Sequence, residues 1–131
     1  MGSFADFWEN EILDHLFGKG VYNPPTIYVG LSTADPLDTG AGLAEPVGNG
    51  YARVQTAAVD WSVAAAGANS NANDVEFPEA TGAWGTLTHF ALFDAAAAGN
   101  MMSHGSLSES KAIGNGDTAK FAAGDLDNSL D

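Results

Sequence analysis

The side chain best equipped for chemistry is Arg53, the only arginine of the chain, within Gly50-Tyr51-Ala52-Arg53-Val54. A guanidinium stays charged and presents a planar fork of five donors that matches a carboxylate. Only Lys19, Lys111 and Lys120 share its charge, against 17 Asp and Glu residues. Arg53 is therefore expected to pair with an acid, and Glu45 and Asp94 are the candidates. Glu45 precedes Pro46 in a loop, and Asp94 closes a strand. Either pairing would make Arg53 a structural clasp, tying a strand start to a loop or to a strand end. Gly48-Asn49-Gly50-Tyr51-Ala52-Arg53 begins like a phosphate-cradling Gly-x-Gly-x-x-Gly. Arg53 replaces the third glycine, however, and the stretch leads into a strand instead of a helix.

Other reactive constellations fail on spacing. No Gly-x-Ser-x-Gly elbow is present. His89 and Asp94, five apart on one strand, fall on opposite faces and make no dyad. His89 reads as a partly buried, hydrogen-bonded strand residue and His104, beside Gly105, as exposed. His15 is expected near a helix C-terminus, where the dipole favours a positive imidazole. Three scattered histidines without cysteine do not make a zinc site. Asn69-Ser70-Asn71-Ala72-Asn73-Asp74 and Asp125-Leu126-Asp127-Asn128 carry clustered oxygens, but neither matches an EF-hand loop, and both read as polar turns. Glycoside hydrolysis needs two carboxylates at a set separation across a cleft, which acid content alone does not establish. The sequence thus assigns no catalytic, cofactor-binding or metal residues.

Composition narrows the partners. At 131 residues with 45% hydrophobic content, the chain is expected to form one domain over residues 1–131 with an ordinary core. A formal net charge of −13 leaves no basic face for nucleic acid and disfavours an anionic membrane surface. No apolar run reaches membrane-spanning length. The N-terminus lacks the basic segment of a signal peptide, and Asp6 stands where a myristoylation signal needs Ser or Thr.

These residues must be positioned by short strands behind one helix. Residues 3–17 read as that helix, with Ser3 as N-cap, Asp6 three residues on, and Gly18 just past the end. Phe4, Trp8, Ile12 and Leu16 form its i, i+4 row. Phe7 and Phe17 lie off the row, so Phe4, Phe7, Trp8 and Phe17 are the candidate interface residues of a helix with two apolar faces. Strands are expected at 26–32, 51–63 (long enough to need a bulge or bend near Thr56–Ala58), 74–78, 86–94, 101–110, 118–122 and 126–130. Gly30 marks a bulge or a close neighbour, and residues 33–49 and 64–73 read as loops. Seven or eight short strands without helix–strand alternation predict a mainly β fold, an antiparallel, jelly-roll-like β-sandwich over 26–130 with an N-terminal helix.

Several short runs resemble a family of small phage virion proteins. They are Gly50-Tyr51-Ala52-Arg53, residues 10–18 (NEILDHLFG), Tyr28-Val29-Gly30-Leu31-Ser32, Phe77-Pro78, Ala91-Leu92-Phe93-Asp94, Gly116-Asp117 and Ala123-Gly124-Asp125. They run in order through nearly the whole chain, and members are commonly labelled tail-fibre or structural proteins. The resemblance implies a β-rich, non-enzymatic virion component on the capsid exterior or the tail. Compact size, acidity and lack of repeats favour a capsid decoration (cement) protein, which implies a homo-oligomer, typically a trimer, bound to the major capsid protein. The alternative is a tail or fibre-base component bound to tail proteins, with a receptor- or sugar-binding role for Trp61, Trp84 and Tyr51.

Overall fold

The computed structural model describes residues 2–130. Nine strands divide into a seven-stranded sheet and a two-stranded ribbon, with one helix. In chain order they are β1 (Gly2–Phe4), α1 (Asp6–Leu16), β2 (Tyr28–Ser32), β3 (Val54–Gln55), β4 (Ala68–Ser70), β5 (Val75–Glu76), β6 (Gly85–Phe93), β7 (Met101–Ile113), β8 (Lys120–Phe121) and β9 (Asp127–Ser129). The large sheet runs β3-β2-β6-β7-β1-β9-β4, and β5 pairs with β8. This differs from the expected antiparallel sandwich. The strands split seven and two, β1 lies parallel to β9, and the sheet is an open half-barrel with β3 and β4 at its edges.

Its centre is the hairpin β6–β7, the two longest strands. The 86–94 segment carries apolar residues on both faces, as a doubly covered strand should. Leu87, Phe90, Ala91, Leu92 and Phe93 are all buried. One face holds the main core, where Phe90 packs with Leu31, Met102, Ile113 and Leu126. The ribbon closes over it through Phe121, whose ring lies edge-on to Phe77 and Phe90. Space around Phe90 is tight. A Cβ on Gly105 would sit 2.7 Å from the Gly2 Cα and 2.8 Å from the Phe90 ring. Glycine there lets β1 and β7 close over the aromatic ring.

The N-terminus departs from its expected form. Ser3 is not a helix cap but the middle of β1, inserted between β7 and β9. The helix starts at Asp6 behind an extended Ala5, and no side chain caps it. Backbone acceptors take over instead: Ala5 N donates to Met102 O at 2.9 Å, and Asp6 N donates to Asp38 O at 3.1 Å. Gly18 ends the helix in the left-handed region as expected, with φ 74°.

The long alternating segment 51–63 also departs. Only Val54–Gln55 pair as a strand, and a 3-10 turn follows at Ala58–Asp60. The Asp60 carboxylate accepts from Ala57 N at 2.8 Å and from Asn73 Nδ2 at 3.1 Å, which holds its pKa below the usual carboxylate value. The Asp60 carboxylate thus turns the chain, and backbone pairing resumes beyond it, where Ser62 N donates to Ser70 O at 2.8 Å and Ala72 N to Asp60 O at 2.7 Å.

Residues 64–73, expected as a loop, contain β4 and the buried Asn71. Asn71 Nδ2 donates to Asn73 O and Ala122 O, each at 2.9 Å. Its Oδ1 accepts from Gly124 N at 3.1 Å and Leu126 N at 2.9 Å. The amide is fully used and ties β4 to the approach of β9. Of the clustered oxygens in this run, Asn71 Oδ1 and Asp74 Oδ1 both accept from backbone, the latter from Ala123 N at 3.1 Å. Asn71→Leu is expected to lower stability by about 3 kcal/mol, because Asn73 O, Ala122 O and Leu126 N lose this partner, while Gly124 N keeps the backbone carbonyl of residue 71 at 2.8 Å. Asn71→Asp should also destabilise, since it turns two donors into an acceptor facing carbonyls. Chemical denaturation of both variants, with comparable slopes, checks this.

Candidate functional site

Arg53 precedes the two-residue edge strand β3, and its side chain is only 4% exposed. It pairs with Glu45 in a fork: Nε donates to Oε1 at 2.9 Å and Nη2 to Oε2 at 2.7 Å. Nη1 donates to two backbone carbonyls, Ala95 O and Ala98 O, each at 2.9 Å. The guanidinium carbon lies 3.4 Å above the centre of the buried Phe93 ring. Bidentate charge pairing, carbonyl acceptors and an aromatic face together compensate a charge removed from water.

Each partner is delivered by a different part of the chain. Glu45 comes from the 33–49 loop, which is pinned to the sheet by Thr33 N to Ala44 O at 3.0 Å and by Ala44 N to Ser32 Oγ at 3.0 Å. Phe93 ends β6, and Ala95 and Ala98 lie in the β6–β7 connection. Asp94, the other expected partner of Arg53, shapes that connection instead. Its Oδ1 accepts from Asn100 N at 2.7 Å, and its Oδ2 accepts from Asn100 Nδ2 at 2.9 Å. Asp94 thereby closes the loop whose carbonyls face the arginine. The sequence placed both acids near Arg53 but could not say that one binds directly and the other through backbone.

Tyr51 is the participant that sequence reasoning missed as part of the clasp. Its hydroxyl donates to Glu45 Oε1 at 2.7 Å and accepts from Leu31 N at 3.0 Å. Burial pushes the phenol well above its ordinary pKa. The bond from Leu31 N opposes that rise, the bond to the Glu45 carboxylate adds to it, and the Arg53 charge is a lesser opposing influence. Tyr51 therefore stays a donor. The missed signal was the spacing Tyr51-Ala52-Arg53, which in extended backbone puts both side chains on one face. Gly30 supplies the room. A Cβ there would lie 2.8 Å from the Phe93 ring, 2.9 Å from Glu45 Oε1 and 3.1 Å from Tyr51 Oη. The close neighbour expected at Gly30 is thus the clasp itself.

The remaining candidates scatter. Trp84 is buried and donates Nε1 to Asn49 O at 2.8 Å, and Tyr51 packs edge-on against it with ring centres 5.3 Å apart. Neither offers an open aromatic platform. Trp61 is half-buried, with Nε1 donating to Thr56 Oγ1 at 2.9 Å. Of the candidate interface residues, Phe4, Phe7 and Trp8 are half-buried, and Phe7 and Trp8 pack against the core. Only Phe17 stands exposed. His89 is half-buried, with Nδ1 2.8 Å from Thr88 Oγ1. His104, expected to be exposed, is largely covered, and its Nε2 lies 2.8 Å from Asp38 Oδ1. His15 Nδ1 accepts from Tyr22 N at 3.2 Å. Among the described residues, no three His, Cys, Asp or Glu side chains are placed to share a metal ion. No helix among them is long and apolar enough to cross a membrane.

A best-equipped side chain fully spent on internal partners points to architecture. The family model described as "Podophage GP4 fiber I protein gp80" matches residues 3–129. The chain belongs to this family. No curated protein matches it. The gp80-family chain is accordingly a bacteriophage structural protein associated with the virion, as the resemblance implied. The matched span includes Glu45, Tyr51, Arg53, Phe93 and Asp94, every side chain of the clasp described above.

Arg53→Ala should cost about 3 kcal/mol, because Glu45 is left as a partly buried, unpaired charge. The melting temperature is then expected to fall by roughly 10 °C. Replacing both partners with Met should recover part of that loss, as the stranded charge is gone. Thermal melts of the two variants test the clasp directly. Tyr51 adds a pH signature. Its folded pKa lies above the unfolded value of 10.0, so its contribution is fully present below that pH. Stability should fall as pH rises beyond about 10, where the unfolded chain releases the proton first. Tyr51→Phe should flatten that alkaline slope while lowering stability at pH 8. Melts recorded between pH 8 and 11 would show both.

Proposed function

We propose that this chain is a structural component of the phage tail-fibre apparatus. The family match over residues 3–129, to a fibre protein, carries this reading. The geometry supports it in a second way. The one arginine, the buried amide of Asn71 and the half-buried His104 are all engaged in holding the fold. A capsid decoration role drew on size and acidity, which suit many exposed virion proteins. The fibre description favours the tail. In this setting Arg53, Glu45 and Tyr51 serve as a clasp that keeps the edge strand and two loops in one arrangement, while Asp94 sets the shape of one of them.

Gold-conjugated antibody against this chain should label purified particles at the tail. Quantitative mass spectrometry should find a few to tens of copies per particle. Dense labelling over the capsid, with hundreds of copies and a shell that loses heat resistance without them, would establish the decoration role instead.

A further inference from the structure

An apolar groove lined by no ionisable group opens among the described residues of this strongly acidic chain. It has a volume of about 320 Å³ and lies where α1 meets the β4 edge of the sheet. Trp8 and Ile12 of α1 line it together with Ile27, Trp61, Leu92 and Leu130. None of its lining residues is an acid or a base, although the chain has 17 Asp and Glu residues. Other apolar side chains in or beside the segments that line the groove are exposed. Leu13 is 52% exposed, Leu16 71%, Phe17 73%, Val63 92% and Leu130 55%. No residue of α1 is fully buried: Phe7 and Trp8 pack half-buried against the core, while Leu13 and Leu16 stay exposed. A patch of this kind, desolvated cheaply and rimmed by polar groups, has the make-up of an interface centre.

Charge identifies the occupant. Glu11 precedes Ile12 on α1, and Asp60 precedes Trp61 in the chain. The cations lie elsewhere or are engaged: Arg53 is enclosed with Glu45, Lys120 is 3.2 Å from Asp74, and Lys111 lines a separate cavity. Only Lys19 follows the helix. A second copy would bring the same acidic rim and another formal charge of −13. We propose that this groove and the outer face of α1 receive an apolar segment flanked by Lys or Arg from a different protein of the particle. Apolar contacts supply the centre, and opposite charges at the rim set orientation and exclude self-pairing. The inference rests on the reading of this chain as a virion component.

The test uses phage particles carrying the full chain. A photo-crosslinking residue at position 16 should join the chain to a different virion polypeptide, at an apolar segment beside Lys or Arg. The yield should fall in particles treated with high salt. The double substitution Leu16→Glu and Phe17→Glu should melt like the wild type, since both positions are exposed, yet reach particles at least tenfold less. Val47→Glu, on the exposed 33–49 loop, should incorporate normally. A crosslink to a second copy of this chain, no crosslink, or wild-type incorporation of the double variant would overturn the proposal. Absence of the wild-type chain from particles would instead overturn the fibre reading on which it rests.

Discussion

A single buried guanidinium constrains the top of this fold more than any other group. Once Arg53 leaves water, its charge must be balanced and its donors filled, because an unpaired charge in that position costs several kcal/mol. Four distinct suppliers meet the demand: the Glu45 carboxylate, the Ala95 and Ala98 carbonyls, and the Phe93 ring. They arrive from two chain segments, the 33–49 loop and the stretch from the end of β6 into the β6–β7 connection. The requirement therefore fixes the path of the 33–49 loop and of the β6–β7 connection relative to edge strand β3. Tyr51 and Gly30 belong to the same constraint, one as donor and the other as the space that donor and acceptor need.

The lower part of the sheet solves the same problem without charge. Asn71 carries four hydrogen bonds from its buried amide and links β4 to the strand that ends the chain. Ser103 and Asn128 repeat the device at 2.9 Å between β7 and β9. Among the described residues no buried side-chain nitrogen or oxygen lacks a partner. A chain poor in cations cannot build several ion pairs. Neutral amides and hydroxyls take their place and carry no comparable desolvation cost. Most acids are left for the surface, where they repel like chains.

Much of this was legible in the residues alone. The central strand at 86–94, the apolar core it carries and the helix stop at Gly18 followed from periodicity and turn chemistry. So did the pairing of Arg53 with a carboxylate, since an arginine among so many acids must find one. These features depend on near neighbours in sequence, and local physics decides them. The misreadings share the opposite cause. Ser3 looked like a cap because nothing local reveals that β7 and β9, a hundred residues away, take Gly2–Phe4 between them. Residues 64–73 looked like a loop because small polar residues have weak strand preference. Pairing with β9 outweighs that preference, as tertiary context often does. The segment 51–63 alternated well but met a sheet edge and the Asp60 carboxylate, and so turned.

Sequence by itself determined the inventory: a β-rich acidic chain, one arginine, no cysteine, one amphipathic helix, and signatures of a phage structural family. Tertiary structure decided how that inventory was spent. It chose Glu45 over Asp94 for direct contact, because the 33–49 loop brings Glu45 to the guanidinium while Asp94 bends back to Asn100. It turned Trp84 and Tyr51 inward and left the outer face of α1 uncovered. Which acid reaches a buried charge, and which apolar face stays open, depend on contacts far apart in the chain, and only the folded arrangement brings those residues together.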